Sequence, residues 1–198
     1  TEDLQIASDS LVGIDAPAPG GIGSGTVVAH TKTNSYVLTA WHVVQGGAGS
    51  AVRIKQRLKK RFVYVDGVVT KVNKKVDLAL IKVAKVLNVN TLVLAKEEPE
   101  MYSKVWTMGN SAGMFGTIHE GLLSARDGSN EDPDGAYQIS GFLVGGGSGG
   151  ALLNGSGELV GVVTHIRGTE EREYNGIVFA TPLPRVRSFL KGAVRGKK

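Results

Sequence analysis

With 198 residues, 41% hydrophobic and 21% charged, and mean hydropathy near zero, the chain is expected to be a soluble globular protein of one domain or two small packed halves, which excludes a disordered polymer. No run reaches the ~18 uninterrupted apolar residues of a membrane span, and the start Thr1-Glu2-Asp3-Leu4 has neither the basic nor the apolar region of a signal peptide. The absence of cysteine removes disulfides, thiolate nucleophiles and Cys-bound zinc, while a net charge of +5 suits acidic lipid, nucleic acid or an acidic protein partner.

In chain order, Leu11–Ile14 is a short strand broken by Pro17 and Pro19. The stretch 21–29 is glycine-rich and then β-branched. No helix pattern or Gly-Lys-Ser/Thr follows it, so it reads as a strand whose glycines permit barrel closure rather than as a phosphate loop. Ser35–Ala40 is a strand that runs into Trp41-His42-Val43-Val44, which places His42 on a short turn at a strand end. Val52, Ile54 and Leu58 alternate with Arg53, Lys55, Arg57 and Lys59, the period of a half-exposed strand. Phe62–Val72 is expected to form a hairpin turned at Asp66-Gly67. Asp77–Val83 is a buried strand that opens on an acid. Glu97, Glu98, Pro99 and Glu100 mark residues 96–103 as a linker between an N-terminal half, 1–95, and a C-terminal half, 104–198.

The second half resumes with strands at Lys104–Gly109 and Gly116–Ala125. Asp127–Gly135 reads as a polar loop, with Asp132-Pro133-Asp134 as a turn. Leu152-Leu153 and Glu158–Thr164 flank the hairpin signal Asn154-Gly155-Ser156-Gly157, and Asn175–Ala180 is the last strand. Pro182 opens a helix over 183–194, with Leu183, Val186, Phe189, Leu190 and Ala193 on one face. About a dozen short strands with frequent glycine turns describe an all-β chain closed by one C-terminal helix.

The chemistry centres on Gly145-Gly146-Gly147-Ser148-Gly149-Gly150, a serine on bare backbone at the entrance to a strand. Such a composition also makes flexible linkers. Serine is a nucleophile only with a base nearby. His42 is one candidate base among His30, His42, His119 and His165, although a lone histidine at a strand end is often structural. Asp77, a single acid opening an apolar strand, can orient an imidazole or cap a turn; Asp66 is its rival.

Together Thr39-Ala40-Trp41-His42-Val43-Val44, Asp77-Leu78-Ala79-Leu80-Ile81 and Gly146-Gly147-Ser148-Gly149-Gly150-Ala151-Leu152 resemble the three active-site motifs of chymotrypsin-like serine proteases. They are most similar to the protease domain of the HtrA/Deg group. The resemblance covers about residues 10–190. It implies two six-stranded antiparallel β-barrels with the site between them, and a serine endopeptidase in which His42, Asp77 and Ser148 are catalytic. Backbone N–H groups of Gly146, Gly147 and Ser148 would form the oxyanion hole, without metal or cofactor and with protein or peptide as substrate.

Phe142, Leu143, Val163, Thr164, His165 and Ile166 would bind substrate, with backbone atoms of 164–166 pairing with it as an added strand. Phe142 stands six residues before Ser148, where cleavage after Lys or Arg needs an acid, so the residue before the scissile bond is expected to be apolar or small. Val163 occupies the place of the histidine by which viral 3C-like and glutamyl proteases read Gln or Glu, while His165 keeps a polar or acidic residue open. Gly147 replaces the aspartate of the digestive enzymes and the usual asparagine of the HtrA group. With no aspartate there and no Ile-Val-Gly-Gly start, activation by a newly cut N-terminus is not expected, and the oxyanion loop is expected to rest with the Gly146 N–H turned away. No PDZ domain is expected in this chain.

Three alternatives stay open at this stage. One is a viral or phage polyprotein-processing protease, and another a catalytically dead adaptor of the same fold. The third is a nucleic-acid-binding module, on the strength of six basic residues in Arg53–Arg61, for which a solvated strand and loop is the plainer reading. Compartment and oligomeric state are not written in the composition.

Overall fold

A computed structural model of the chain describes residues 2–129, 132–141, 147–164 and 177–194, with the side chains of 112, 127–129 and 132–134 excepted. Six strands, β1 (Leu11–Asp15), β2 (Ile22–His30), β3 (Ser35–Thr39), β4 (Ala51–Leu58), β5 (Arg61–Asn73) and β6 (Leu78–Val83), close into a barrel in the order β1-β2-β3-β6-β5-β4. Six more, β7 (Lys104–Gly109), β8 (Thr117–Ser129), β9 (Asp132–Ser140), β10 (Ala151–Leu153), β11 (Leu159–Thr164) and β12 (Ile177–Pro182), close a second in the order β10-β11-β12-β9-β8-β7. Every strand pair within the barrels is antiparallel. The all-β architecture expected from the sequence, two six-stranded barrels with a C-terminal helix, is the architecture found.

The apolar pattern explains how the barrels meet. On β4 alternation is strict: Val52 and Ile54 are buried with Gln56, while Arg53 and Arg57 face out. β3 and β6 are apolar on both faces because both faces are covered. Val37, Ala79, Ile81 and Val83 fill the first barrel, whereas Tyr36, Leu38, Leu78 and Leu80 join the core of the second. A nearly continuous apolar run, Tyr36–Leu38 in β3 and Leu78–Ile81 in β6, is the sequence mark of this double burial.

Three local expectations are corrected. The Asp66-Gly67 dipeptide is no turn: β5 runs through it unbroken, and the reversal lies before it, where Lys59 takes a left-handed φ of 54°. Gly67 serves close packing instead, since a Cβ there would stand 2.7 Å from Ile81 Cγ2. Gly67→Ala is therefore expected to cost about 1–3 kcal/mol by overpacking, read as a lower urea midpoint with an unchanged m-value. The expected polar loop 127–135 is mostly the arms of the β8–β9 ribbon, paired as far as Ser129 and Asp132, so Asp132-Pro133-Asp134 opens a strand rather than making a turn. Cross-strand pairing overrides a locally polar composition there. A helix that the reading missed, α1 (Glu2–Ser8), has only seven residues, too few to display an apolar period.

The hairpin at 154–157 is found, with the Asn154 Oδ1 accepting from the N–H groups of Ser156 and Glu158 at 3.0 Å each. The C-terminal helix, α3 (Leu183–Leu190), is shorter than expected because the chain turns at Gly192 with φ +67°. It buries Leu183, Val186 and Phe189 and acts as a strap. Arg187 donates to the Ala95 carbonyl at 2.6 Å, and Lys71 of β5 donates to the Phe189 carbonyl at 2.7 Å, which ties the connecting segment and the first barrel to the helix of the second. Among the described residues no helix is long and apolar enough to cross a membrane.

Candidate active site

β3 ends at Thr39, and the chain passes through extended Ala40 into a one-turn helix, α2 (Trp41–Val44). Gln45, left-handed at φ 48°, closes the turn by donating to the Trp41 carbonyl at 2.8 Å. Four residues are too few for a stable isolated helix, so burial of Val43 and Val44 holds this one and presents His42 at the barrel rim.

Asp77 meets it there. The His42 backbone N–H donates to Asp77 Oδ1 at 2.8 Å, and His42 Nδ1 lies 2.7 Å from Asp77 Oδ2. An ionised carboxylate only accepts, so Nδ1 carries the proton and the basic lone pair of a neutral ring is on Nε2. Asp77 reaches this position through a left-handed φ of 57°. Asn73 prepares the turn before it, with Oδ1 accepting from the N–H groups of Lys75 and Val76 at 3.1 and 3.3 Å. This Asx turn is a missed part of the site, and an asparagine four residues before the acid was its signal.

A second missed contact comes from the other barrel. The Thr164 hydroxyl, at the end of β11, donates to Asp77 Oδ2. Burial pushes the Asp77 carboxyl up, but hydrogen bonds from His42, attraction to its ring and the Thr164 hydroxyl more than offset this. The net position is below the ordinary carboxylate range. Asp77 is therefore held as a charged acceptor.

Ser148 sits on the turn that leads into β10. Its carbonyl accepts from the Ser24 N–H of β2 at 2.9 Å, and the next N–H, of Gly149, donates to Val163 of β11 at 2.8 Å. The turn is thus clamped between the two barrels. Gly149 has φ +85°, and a Cβ there would run into Thr39 Oγ1 and the Ser24 carbonyl. Only glycine lets the Ser148 turn lie against the residues that lead into His42. The Thr39 hydroxyl donates to the same Ser24 carbonyl at 2.7 Å, which fixes this junction.

The other expected site residues divide. Val163 is buried in the core of the second barrel, and both its backbone groups are taken by the Ser148 turn, its own N–H donating to the Gly150 carbonyl at 2.8 Å. Gly147 accepts from the Gly150 N–H at 3.2 Å. Phe142, Leu143, Gly146, His165 and Ile166 lie outside the described residues, as does the expected orientation of the Gly146 N–H. Asp66, the rival acid, is exposed on β5 opposite Arg53, and the carboxylate that meets His42 is that of Asp77. His30 is tied to Ser35 and the Val89 carbonyl, each at 2.9 Å. Among the described residues no three His, Asp or Glu side chains converge as metal ligands.

A trypsin-like peptidase domain model matches residues 23–162. The chain is similar to a probable periplasmic serine endoprotease, DegP-like, of Buchnera aphidicola, with 31% identity over 166 residues, covering 82% of this chain and 34% of that protein. It is similar also to the periplasmic serine endoprotease DegP of Salmonella typhimurium, at 30% over 177 residues, covering 87% and 36%. The chain thus spans about a third of the length of these curated relatives. In three dimensions it superposes on a serine endoprotease from Yersinia pestis with a TM-score of 0.77 at 22% identity, over 98% of this chain and 66% of that one.

Proposed function

The chain belongs to the trypsin-like peptidase domain family, and on that footing we propose that it is a serine endopeptidase working through His42, Asp77 and Ser148. The observation that carries the reading is the hydrogen-bonded His42–Asp77 pair, with the Ser148 turn clamped beside it through Ser24 and Gly149. In the proposed reaction Ser148 Oγ attacks the peptide carbonyl carbon while His42 Nε2 takes the hydroxyl proton. Asp77 keeps the imidazole in the reactive tautomer and stabilises the imidazolium.

The carbonyl oxygen, now negative, is held by backbone N–H groups of Gly146, Gly147 and Ser148, donors that act more strongly in a water-excluded cleft than in solution. His42 returns the proton to the leaving amine, giving an acyl-enzyme on Ser148, and water then repeats the sequence to release the acid. Residues 1–95 would supply base and orienter, and residues 104–198 the nucleophile. Phe142, in place of an acid six residues before Ser148, supports a small or apolar residue before the scissile bond.

A fluorophosphonate probe tests the assignment. Labelling is expected at one site, mapped by peptide mass spectrometry to Ser148, and an unbiased peptide-library digest would then read the preference. Labelling elsewhere, or none in protein shown to be folded, counts against the reading.

A further inference from the structure

The outward face of the β4–β5 ribbon carries charge and aromatic surface that the proposed reaction does not use. Arg53, Lys55 and Arg57 stand opposite Asp66, Tyr64 and Phe62 in the register of the two strands. Arg53 is neutralised by Asp15 at 3.0 Å, and its guanidinium lies 4.5 Å over the Tyr64 ring. Lys55, Arg57 and the turn residues Lys59, Lys60 and Arg61 are different: none forms an ion pair with a carboxylate among the described residues. Lys55 Nζ instead lies 4.4 Å from the Phe62 ring centre. Phe62 and Tyr64 are 44% and 50% exposed, and Phe62 extends the stripe onto the second barrel by meeting Phe115 at 5.2 Å. Uncompensated cations interleaved with exposed rings form a surface suited to an acidic partner.

This stripe leads into the cleft. β1 lies between β2 and β4, with Ile14 opposite Gly23 on one side and Ile54 on the other. A cavity of about 70 Å³ here is lined by Gly13, Ile22, Gly23, Lys55, Tyr64 and Phe115. Gly23 is its inner end, since a Cβ there would stand 3.1 Å from the Ser148 carbonyl oxygen. The opposite edge of the Ser148 turn is bonded to β11. A substrate whose acyl part runs along β11 therefore departs on the β2 side, over Ile22 towards Lys55. Two strand spacings of ~4.8 Å separate Gly23 from β4, about three residues of extended chain at ~3.3 Å each.

We propose that the β4–β5 ribbon is a docking track for an acidic polypeptide segment that follows the scissile bond of the substrate, a proposal that rests on the endopeptidase reading. Carboxylates from about the third residue after the cleaved bond meet Lys55, then Arg57 and the Lys59–Arg61 turn. Side chains between them pack on the part of Tyr64 and Phe62 that Arg53 and Lys55 leave exposed. Single-stranded nucleic acid fits less well, because stacking needs open ring faces and here Arg53 and Lys55 already cover them.

Two measurements test the track. On the Ser148→Ala protein, fluorescence anisotropy follows a labelled peptide with four consecutive glutamates, against its glutamine counterpart. The glutamate peptide is expected to bind at least 10-fold more tightly at low salt, to weaken as salt screens the charges, and to lose that advantage in the Lys55→Glu/Arg57→Glu background. On the active chain, quenched-fluorescent peptides identical up to the scissile bond carry Glu or Gln at the third to sixth positions after it. The ratio of their kcat/KM values is expected to be about 5–10, the sum of a few exposed ion pairs, and to fall to one or below in the double variant.

Equal binding of the two peptides, or a preference that survives the double variant, overturns the proposal. So does tighter binding of an oligonucleotide of equal charge that the double variant abolishes, which would assign the face to nucleic acid. Intact glutamate binding with no cleavage of any peptide would uphold the docking face and overturn only the reaction assigned to Ser148.

Discussion

Replacing Ser148 with alanine is expected to lower kcat on a good peptide substrate by roughly 10⁵–10⁶-fold while KM moves only a few-fold. The size of the effect follows from what is lost and what stays. The variant lacks the only atom that attacks, so acyl-enzyme no longer forms and water must react directly. Among the described residues the hydrogen bonds that hold the turn are main-chain: the Ser148 carbonyl on Ser24, Gly149 on Val163, Gly150 on Gly147. Alanine keeps them, so stability should change by less than ~0.5 kcal/mol. Donor groups and substrate contacts also remain and leave a residual rate above that of water. Single-turnover kinetics with purified variant checks this, and a variant retaining more than about one hundredth of the parent rate would remove Ser148 from the mechanism.

Asp77→Asn is expected to be the next most damaging change, lowering kcat about 10⁴-fold. Here the geometry is preserved and the proton is misplaced. Asp77 accepts three hydrogen bonds, two from His42 and one from Thr164. An amide has one acceptor oxygen, and with that oxygen on the His42 main chain its NH₂ faces Nδ1. Nδ1 must then accept, the ring proton moves to Nε2, and the base is blocked. Rapid-quench acylation rates would show the loss, and an active asparagine variant would refute the orienting role.

The same carboxylate makes stability depend on acid. Its native pKa lies below the ordinary value, so the unfolded chain takes up this proton first on acidification. The associated stability is complete above the unfolded-state value of ~3.9 and is lost as pH falls through the lower native value. Urea midpoints of parent and Asp77→Asn proteins should therefore converge below about pH 4.

The sequence displayed what is local or ordered along the chain. Alternation on β4, the Asn154–Gly157 hairpin and the order of the His42, Asp77 and Ser148 motifs were all legible, the last because a family resemblance spans most of the chain. What stayed hidden depends on distant partners. Asp66-Gly67 carries the composition of a turn, yet the glycine is demanded by Ile81 on the neighbouring strand. Thr164 was expected to meet substrate through its backbone, and nothing local shows that its hydroxyl reaches Asp77, 87 positions away. The exposed cations of β4 were visible as a run, but only the register places Tyr64 and Phe62 among them.

The division of the site between the barrels has a consequence for the birth of the molecule. A ribosome completes His42 and Asp77 well before Ser148 is added; at ~5–20 residues per second the interval is about 4–14 s. On the proposed reaction, the nascent first half holds through that time a base with nothing to activate. The later half, until it docks, holds a hydroxyl with nothing to take its proton. On the proposed reaction, a chain built this way gains peptidase activity only once both barrels are made and docked.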